Sequence, residues 1–337
     1  MPSIIHYGGG VHGRRLRLVP VVLSSTVALG AALAGCGGTD SGGGAASSSA
    51  AAARQSIAAP ATTAGCTNTP PTLPGTAVTV DVPQARVVLG GAGTGAPSAL
   101  TVRPTAVARY SLFTNSLQVS QVSGEQPSGG NRDVTLPMVV QPTCADPLDA
   151  YVFFGAPTST DPATTKALEV EAGTVGRVRF APNGEVRSFV IAAPPGVSND
   201  AQSAFEQALL QTFLRLVPLP AEPVGIGATW TATRTIRADS NLTQTMTVTL
   251  GGTLERPELK AKVDESPDDS VFRVPDSGTT LTVESYTSEG NGTMVLDPAR
   301  AFGAGGVQLE GGRTLVGDDP AKKLVQKTGS VYRFDPK

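Results

Sequence analysis

Residues 176–191 read GRVRFAPNGEVRSFVI, and this stretch decides the fold class. Runs of alternating apolar and polar residues flank Pro182-Asn183-Gly184, and such alternation is the pattern of a half-buried strand. Asn-Gly between two strand patterns is a strong signal for a β-hairpin, because a tight hairpin turn needs residues that tolerate positive φ. We therefore predict two antiparallel strands joined at Asn183-Gly184.

The same alternation recurs through the sequence from residue 76 onward. The further segments that show it are Thr76–Val82, Leu117–Val122, Thr229–Ile236, Thr243–Leu250 and Thr280–Tyr286. Gly, Pro, Asn and Asp separate these segments at short intervals, where turns are expected. The sequence predicts a mainly β (α+β) domain over residues 76–337, with antiparallel strands in one sheet or in two sheet-forming halves.

One amphipathic helix is expected at about residues 198–216. Ser198 is a good N-cap, apolar residues recur at helical spacing from Ala201 to Leu216, and Pro218 ends the pattern. The apolar stripe belongs either to the core or to the wall or lid of an apolar pocket. The candidates for lining such a pocket are Phe205, Leu209, Phe213 and Trp230.

The first 35 residues have the order of a secretory signal peptide. Arg14, Arg15 and Arg17 precede residues 18–35, which are uncharged and end in small residues. A retained transmembrane helix is the alternative, and the borderline length of the segment and Pro20 near its start weaken that alternative. We therefore expect an exported protein.

Cleavage after residue 35 removes both histidines of the chain, His6 and His12. Ser–His–Asp catalysis, Cys–His catalysis and His-ligated zinc are then excluded. Cleavage also removes three arginines and no acids, so the formal net charge falls from −2 to −5, and we expect no nucleic-acid partner. We expect no enzyme activity, no metal and no cofactor. A pair of carboxylates, which needs no histidine, is the catalytic alternative.

Leu33-Ala34-Gly35-Cys36, at the end of the apolar segment, resembles the lipobox of bacterial lipoproteins. The resemblance implies that cleavage leaves Cys36 as the new N-terminus and that its thiol carries diacylglycerol. Two acyl chains give a stable anchor where one gives a marginal one. We thus expect an extracytoplasmic protein anchored by lipid to the bacterial cell membrane. A plain signal peptide with an unmodified Cys36 is the alternative.

Residues 36–75 are predicted to be a flexible tether between the lipid and the domain. They consist largely of Gly, Ala, Ser and Thr, and such a composition cannot bury enough apolar surface to fold. With Cys36 assigned to lipid, Cys66 and Cys144 remain. An even pair in an oxidising compartment can form a disulfide, and two separate thiols are the alternative.

Residues 219–230, LPAEPVGIGATW, follow the predicted hairpin and helix. Together, residues 176–300 resemble a group of uncharacterised actinobacterial lipoproteins, whose pattern is a hairpin, a helix and then an LP…VG.G..W segment. More distantly, the layout resembles the half-barrel lipid-carrier lipoproteins, which implies a curved sheet, a half-barrel, enclosing acyl chains beside a helix. The expected function is non-catalytic binding of a lipid or another apolar ligand. The alternative is a structural or interaction lipoprotein that presents a β-rich surface to a protein or cell-wall partner.

Two further stretches have the composition of a phosphate loop or a calcium site, but neither has the residue spacing that such a site requires. Residues 90–97, GGAGTGAP, have no Lys-Ser/Thr after the last glycine, so a β-connection is expected there rather than a phosphate loop. Residues 264–269, DESPDD, lack the twelve-residue calcium-loop pattern, so a solvated acidic loop is expected.

Overall fold

The structure is a computed structural model that describes residues 65–69, 71–73, 77, 79–236, 241–273 and 279–337. The predicted signal peptide, the tether up to residue 64 and the lipobox lie outside the described residues. The lipobox residues concerned are Leu33, Ala34, Gly35 and Cys36.

Sixteen strands and two α-helices occur in the described part of the chain. The first eight strands are β1 (Val80–Asp81), β2 (Arg86–Gly91), β3 (Thr94–Ser98), β4 (Ala108–Val122), β5 (Ser128–Pro142), β6 (Asp149–Phe154), β7 (Val175–Phe180) and β8 (Val186–Ala192). The others are β9 (Val224–Ile226), β10 (Thr229–Ile236), β11 (Leu242–Gly252), β12 (Pro257–Pro267), β13 (Val271–Arg273), β14 (Thr280–Val295), β15 (Ala304–Val316) and β16 (Lys323–Pro336). The helices are α1 (Pro162–Leu168), which a 3-10 turn (Glu169–Glu171) follows, and α2 (Asn199–Phe213).

One antiparallel sheet contains fourteen of these strands, which confirms the predicted mainly β fold. The order across the sheet is β1-β8-β7-β6-β5-β4-β16-β15-β14-β12-β11-β10-β2, and β13 pairs with β14 beside this path. β3 and β9 form a separate two-stranded ladder. The ladder is continuous from edge to edge, so the strands before and after α2 belong to a single sheet.

The sheet curls until its two edges are close together. β1 and β2 lie at opposite edges, yet only residues 82–85 connect them, and this connection reaches at most about 18 Å. A flat sheet with twelve inter-strand spacings would separate the same edges by about 58 Å. The two edge strands are not paired, so the sheet is curved without forming a closed barrel.

A buried ion pair spans the open side of this curl. Glu185 lies in the β7–β8 turn and Arg234 in β10, which is ten strands from β8 in the sheet order. Their side chains are almost fully buried, and Nη1 of Arg234 lies 3.2 Å from Oε1 of Glu185. The backbone N–H of Ala85, in the connection between the edges, also donates to Glu185 Oε1 at 3.1 Å. This pair therefore joins three parts of the chain that close the curl.

The hairpin predicted at residues 176–191 forms as β7 and β8. Gly184 has a φ of 82°, the left-handed conformation that the tight turn requires, and Asn183 Oδ1 accepts a hydrogen bond from the Glu185 N–H. β10 matches the predicted segment Thr229–Ile236 at both ends. Of the predicted strand Thr76–Val82, the described residues Val80–Asp81 form β1, and the Val82 N–H also donates to the Arg187 carbonyl of β8 at 2.9 Å.

α2 begins where the sequence predicts and ends earlier than expected. The Ser198 hydroxyl accepts from the Ala201 N–H at 3.2 Å, as an N-cap does. The helix ends at Phe213 rather than at Leu216, because the following residues tighten into i→i−3 bonds ahead of Pro218. The backbone N–H of Leu216, for example, donates to the Phe213 carbonyl at 3.2 Å.

The main core lies on the inner face of the curl, between the sheet and α2. Phe302, in the β14–β15 connection, stacks on Phe334 with ring centroids 4.4 Å apart and contacts the rings of Tyr110, Phe180 and Phe213 at 5.5–6.2 Å. Burial raises the pKa of the Tyr110 hydroxyl to about 12. A much smaller cluster, built on Phe272 and Leu315, lies apart from this core.

Candidate functional site

The four predicted pocket residues are all core residues. Phe205, Leu209, Phe213 and Trp230 are each at most 3 % exposed. Phe205 contacts Phe154 of β6 at 5.1 Å between ring centroids, and Trp230 Nε1 donates to the Pro218 carbonyl at 2.8 Å. None of the four lines the three cavities described below. Their contacts are those of side chains that hold α2 against the sheet.

A cavity of about 140 Å³ lies on the inner face of the sheet, beyond the C-terminal end of α2. We call it the polar chamber. The polar side chains that define it are Gln211, Arg215, Glu265, Tyr286, Arg313 and Gln326. These residues come from α2 and its following turn and from β12, β14, β15 and β16.

The end of α2 positions the first cation of the chamber. Nη1 of Arg215 donates to the Gln211 backbone carbonyl at 2.8 Å and to Gln211 Oε1 at 2.9 Å, one helical turn earlier. The Arg215 backbone carbonyl in turn accepts a hydrogen bond from the Tyr332 hydroxyl of β16. Burial raises the pKa of the Tyr332 hydroxyl, so it stays a donor at neutral pH. Arg215 is therefore fixed both along the helix and against the sheet.

Glu265 places a carboxylate opposite this cation. It accepts from Gln244 Nε2 at 2.9 Å and from the Ser288 hydroxyl at 3.0 Å, and Nη2 of Arg215 lies 3.9 Å away. The expectation of a solvated loop at residues 264–269 is wrong for Glu265, whose residue is 9 % exposed. β12 extends to Pro267, so its two-residue period turns Glu265 inward while Asp264 stays exposed.

Arg313 supplies the second cation, from the middle of the sheet. It pairs in register with Tyr286 of β14 on one side and Gln326 of β16 on the other. Its Nε donates to Gln326 Oε1 at 2.7 Å, and its guanidinium lies 4.1 Å from the centroid of the Phe272 ring. Burial, with a smaller effect of the nearby Glu265 charge, raises the pKa of the Tyr286 hydroxyl.

Two polar atoms of this region are buried without a hydrogen-bond partner in the described protein. They are Nε of Arg215 and Oε1 of Gln244. An unsatisfied buried polar group costs about 1–3 kcal/mol.

A second cavity, of about 70 Å³, continues along the flank of α2, and we call it the α2 cavity. It shares Gln211, Arg215, Gly329 and Ser330 with the polar chamber. Its exposed surface is more apolar than that of the chamber, and Val134, Ala208 and Val331 line it together with polar residues such as Thr114 and Arg132. The two cavities therefore adjoin, with polar walls at one end and more apolar walls at the other.

The opposite face of the same long strands forms a wide, open groove of about 1030 Å³, which we call the outer groove. Leu117 and Val325, two of the large apolar residues that are exposed in the described chain, lie in it at 37 % and 40 % exposure. Glu289 and Glu310 face each other in register on its floor, near Lys327.

Cys66 and Cys144 lie at disulfide distance, which confirms the predicted pairing, with the two sulfurs 1.98 Å apart. The bridge attaches the described residues 66–69 and 71–73 to the sheet. The backbone N–H of Thr67 donates to the Pro142 carbonyl at 2.9 Å, and Leu73 packs against a cluster that includes Tyr151 and Phe153. The last part of the predicted tether therefore lies on the outer face of β6.

Within the described ranges, no group of three His, Cys, Asp or Glu side chains could hold a metal ion. The helices in that part of the chain are too short or too polar to cross a membrane. Models of protein families, curated proteins and solved structures were compared with the chain, and none of them matches.

The sequence pointed to the apolar side of α2, whereas the cavities lie along its other side and beyond its end. Arg215, Glu265 and Arg313 were not among the predicted site residues. For Glu265 a signal existed, because the alternation of LKAKVDES continues through the acidic stretch. For Arg215 and Arg313 no local pattern distinguishes them from surface arginines.

Proposed function

We propose that this protein is a non-catalytic envelope lipoprotein, anchored to the outer side of the bacterial cell membrane through lipid on Cys36, that binds a lipid or another apolar ligand. The position of α2 is the observation that supports the binding of an apolar ligand. The helix lies inside the curl of the sheet, and the α2 cavity and the polar chamber adjoin along its flank and end.

The sizes of the cavities define how such a ligand would bind. They measure about 70 and 140 Å³, whereas pockets for drug-sized ligands usually measure about 300–1,000 Å³. A lipid therefore requires α2 to move away from the long strands and widen the α2 cavity. Ala208 and Thr212, which line this cavity from the helix, present small side chains to the moving interface.

The ligand proposal is tested by native mass spectrometry of the anchored protein released from membranes in a mild detergent. We expect a mass in excess of the lipidated chain that matches a cellular lipid. Ser330→Trp, which fills the position shared by both cavities, should abolish the excess mass. Gln308→Trp is the matched control, because Gln308 is exposed on the outer face of the same sheet and should leave the excess unchanged.

Two results would reject the ligand proposal. One is a protein that carries only its own anchor under conditions that preserve lipid adducts on other proteins. The other is an excess mass that Ser330→Trp and Gln308→Trp reduce equally, because the lipid would then lie outside the two cavities.

The anchor is tested separately by labelling cells with a radioactive fatty acid. Cys36→Ala should abolish incorporation into this protein, whereas Cys66→Ala combined with Cys144→Ala should preserve it. Labelling that survives Cys36→Ala would show that the lipobox prediction is wrong.

The outer groove favours a second candidate function, the presentation of a β-rich surface to a protein or cell-wall partner. Exposed apolar residues within a large concave surface are typical of interaction sites. A photo-crosslinking amino acid at Val325 should capture a discrete partner in intact cells, and one at Val88, exposed in β2 on another part of the sheet, should not. Equal capture at the two positions would contradict a specific role for the groove.

A further inference from the structure

We propose that the polar chamber binds an oxyanion, a carboxylate or a phosphate, through Arg215 and Arg313. This inference rests on the proposed function only for the source of the anion, which is either a free small molecule or the head group of the ligand beside α2. The location, charge and size of the proposed anion site are inferred from the residues and volume of the polar chamber alone.

The charge of the chamber favours an anion. Four charged residues line it, and they are Arg215, Glu265, Glu310 and Arg313. Glu310 is exposed and belongs to the outer face, because it pairs in register with Gly329 and Glu289 on that side of the sheet. The inner side therefore holds two guanidinium groups and one carboxylate. An anion in the chamber would lie beside both guanidinium groups, and hydrogen bonds between a guanidinium and an oxyanion are charge-assisted.

The hydrogen-bonding capacity of the chamber also fits an oxyanion. A guanidinium presents its donors in a planar fork that matches the oxygens of a carboxylate or phosphate. Nη2 of Arg215 lies 3.9 Å from Oε1 of Glu265, which is longer than a hydrogen bond, so this contact does not use the donors of Nη2. Tyr286 lines the same cavity, and its hydroxyl is protonated at neutral pH and can donate a hydrogen bond.

The volume limits the size of the group that the chamber can hold. A cavity of about 150 Å³ accommodates benzene, so 140 Å³ accommodates about six non-hydrogen atoms. Inorganic phosphate and a short carboxylate both fit. A longer molecule would place only its charged head there, and its apolar part would lie along the α2 cavity, which shares Gln211 and Arg215 with the chamber.

Calorimetry on the anchored protein in a non-ionic detergent tests the inference with four probes, which are inorganic phosphate, acetate, octyl phosphate and octanoate. We expect at least one of the two small anions to bind. An eight-carbon tail that strengthens binding tenfold or more identifies the head group of an amphipathic molecule. A tail that has no effect identifies a free small anion. If none of the four probes binds, the inference is overturned.

Three variants locate the binding. Arg215→Met should weaken it ten- to a hundredfold, since a hydrogen bond to a charged group contributes about 1.5–3 kcal/mol. Glu265→Gln should strengthen it, because it removes the opposing carboxylate. Arg333→Met is the matched control, since Arg333 is an exposed arginine of β16 that pairs with Asp335 and stacks on Phe113 away from the chamber.

Two outcomes with the variants would overturn the inference. They are equal losses in Arg215→Met and Arg333→Met, or weaker binding in Glu265→Gln. The second remains decisive if Arg215→Met fails to fold. The failure of this inference can be told apart from the failure of the proposed function. If an anion binds through Arg215 and native mass spectrometry finds no lipid, the lipid proposal is rejected and the anion site in the chamber is supported. If a lipid mass is found and none of the anions binds, the anion site is rejected and the lipid proposal is supported.

Discussion

The inner face of the sheet has two ends that differ in what fills them. At one end, which we call the filled end, α2 and the aromatic cluster around Phe302 pack against the sheet. At the other, the polar chamber lies between the end of α2 and the small cluster of Phe272 and Leu315. The same strands run through both, since β16 contributes Phe334 to the first and Gln326 to the second.

A difference in length between the helix and the strands explains this contrast. α2 has 15 residues and is about 22 Å long, whereas β14 and β16 have 16 and 14 residues and extend about 46–53 Å. The helix can therefore cover only about half of the inner face. Among the remaining inward positions, Ser288 of β14 bonds to Glu265 of β12, and Arg313 of β15 bonds to Gln326 of β16. Long strands with a short helix thus create two environments in one sheet.

Removal of an aromatic ring at the filled end should have the largest effect on stability. We expect Phe302→Ala to lower the free energy of unfolding by about 4 kcal/mol, because the ring is 2 % exposed and its loss leaves a cavity among four aromatic neighbours. Leu117→Ala, on the exposed outer groove, should cost less than about 1 kcal/mol. Urea unfolding followed by Trp230 fluorescence measures both. Equal costs would show that the filled end is not the stabilising core.

The filled end also depends on the ion pair that closes the curl. Arg234→Met should cost about 3 kcal/mol, because the Glu185 carboxylate would stay buried without its cation. The double variant Arg234→Met/Glu185→Gln should be less destabilised than the single variant, since it buries no unpaired charge. Lys323→Met, which breaks an exposed pair with Glu284, should cost less than about 1 kcal/mol in the same urea titration. A double variant as unstable as the sum of both single variants would contradict this role.

The filled end was predictable from the sequence to a larger extent than the chamber. The hairpin at Asn183-Gly184, β10 and the start of α2 each follow from a local period or a capping residue. The long strands do not, because residues 128–132, SGGNR, have the composition of a turn and become part of β5 only by pairing with β4. That pairing, and the pairing of β4 with β16 about 200 residues away, bring the polar inner positions together. Local patterns contain no information on such register.

At the chamber, the loss of a polar side chain should have a moderate effect. Gln326 accepts from Arg313 Nε at 2.7 Å and donates to the Ser120 hydroxyl at 3.0 Å. Gln326→Met removes both bonds at similar volume, so we expect a loss of about 1–2 kcal/mol. Gln308→Met, on the exposed face of β15, should change stability by less than about 0.5 kcal/mol. If Gln326→Met lowered the free energy of unfolding more than Phe302→Ala does, the chamber would contribute more to stability than the filled end, which would contradict the comparison.

The smallest effect that we predict is a gain in stability, and it depends on pH. Glu171, 2 % exposed, follows α1 next to the filled end, and Thr174 links it to Phe154, which packs on α2. Burial raises the pKa of its carboxyl above the usual 4.5, although a hydrogen bond from the Thr174 hydroxyl opposes the shift. A raised carboxyl pKa means that the folded state favours the protonated form. The stability that this preference contributes is fully present below pH 4.5, and it is lost as the pH rises through the pKa of Glu171 in the folded state.

Glu171→Gln should therefore match the wild type in stability below pH 4.5 and exceed it by about 1 kcal/mol at pH 7. Urea titrations across this range measure the difference, and Glu169→Gln, at an exposed position of the same turn, should show no such trend. A variant that is less stable than the wild type at pH 7 would mean that the charged form of Glu171 is stabilised by its surroundings. The filled end would then tolerate a buried carboxylate without a cationic partner, and the contrast with the chamber would rest on the aromatic packing around Phe302 alone.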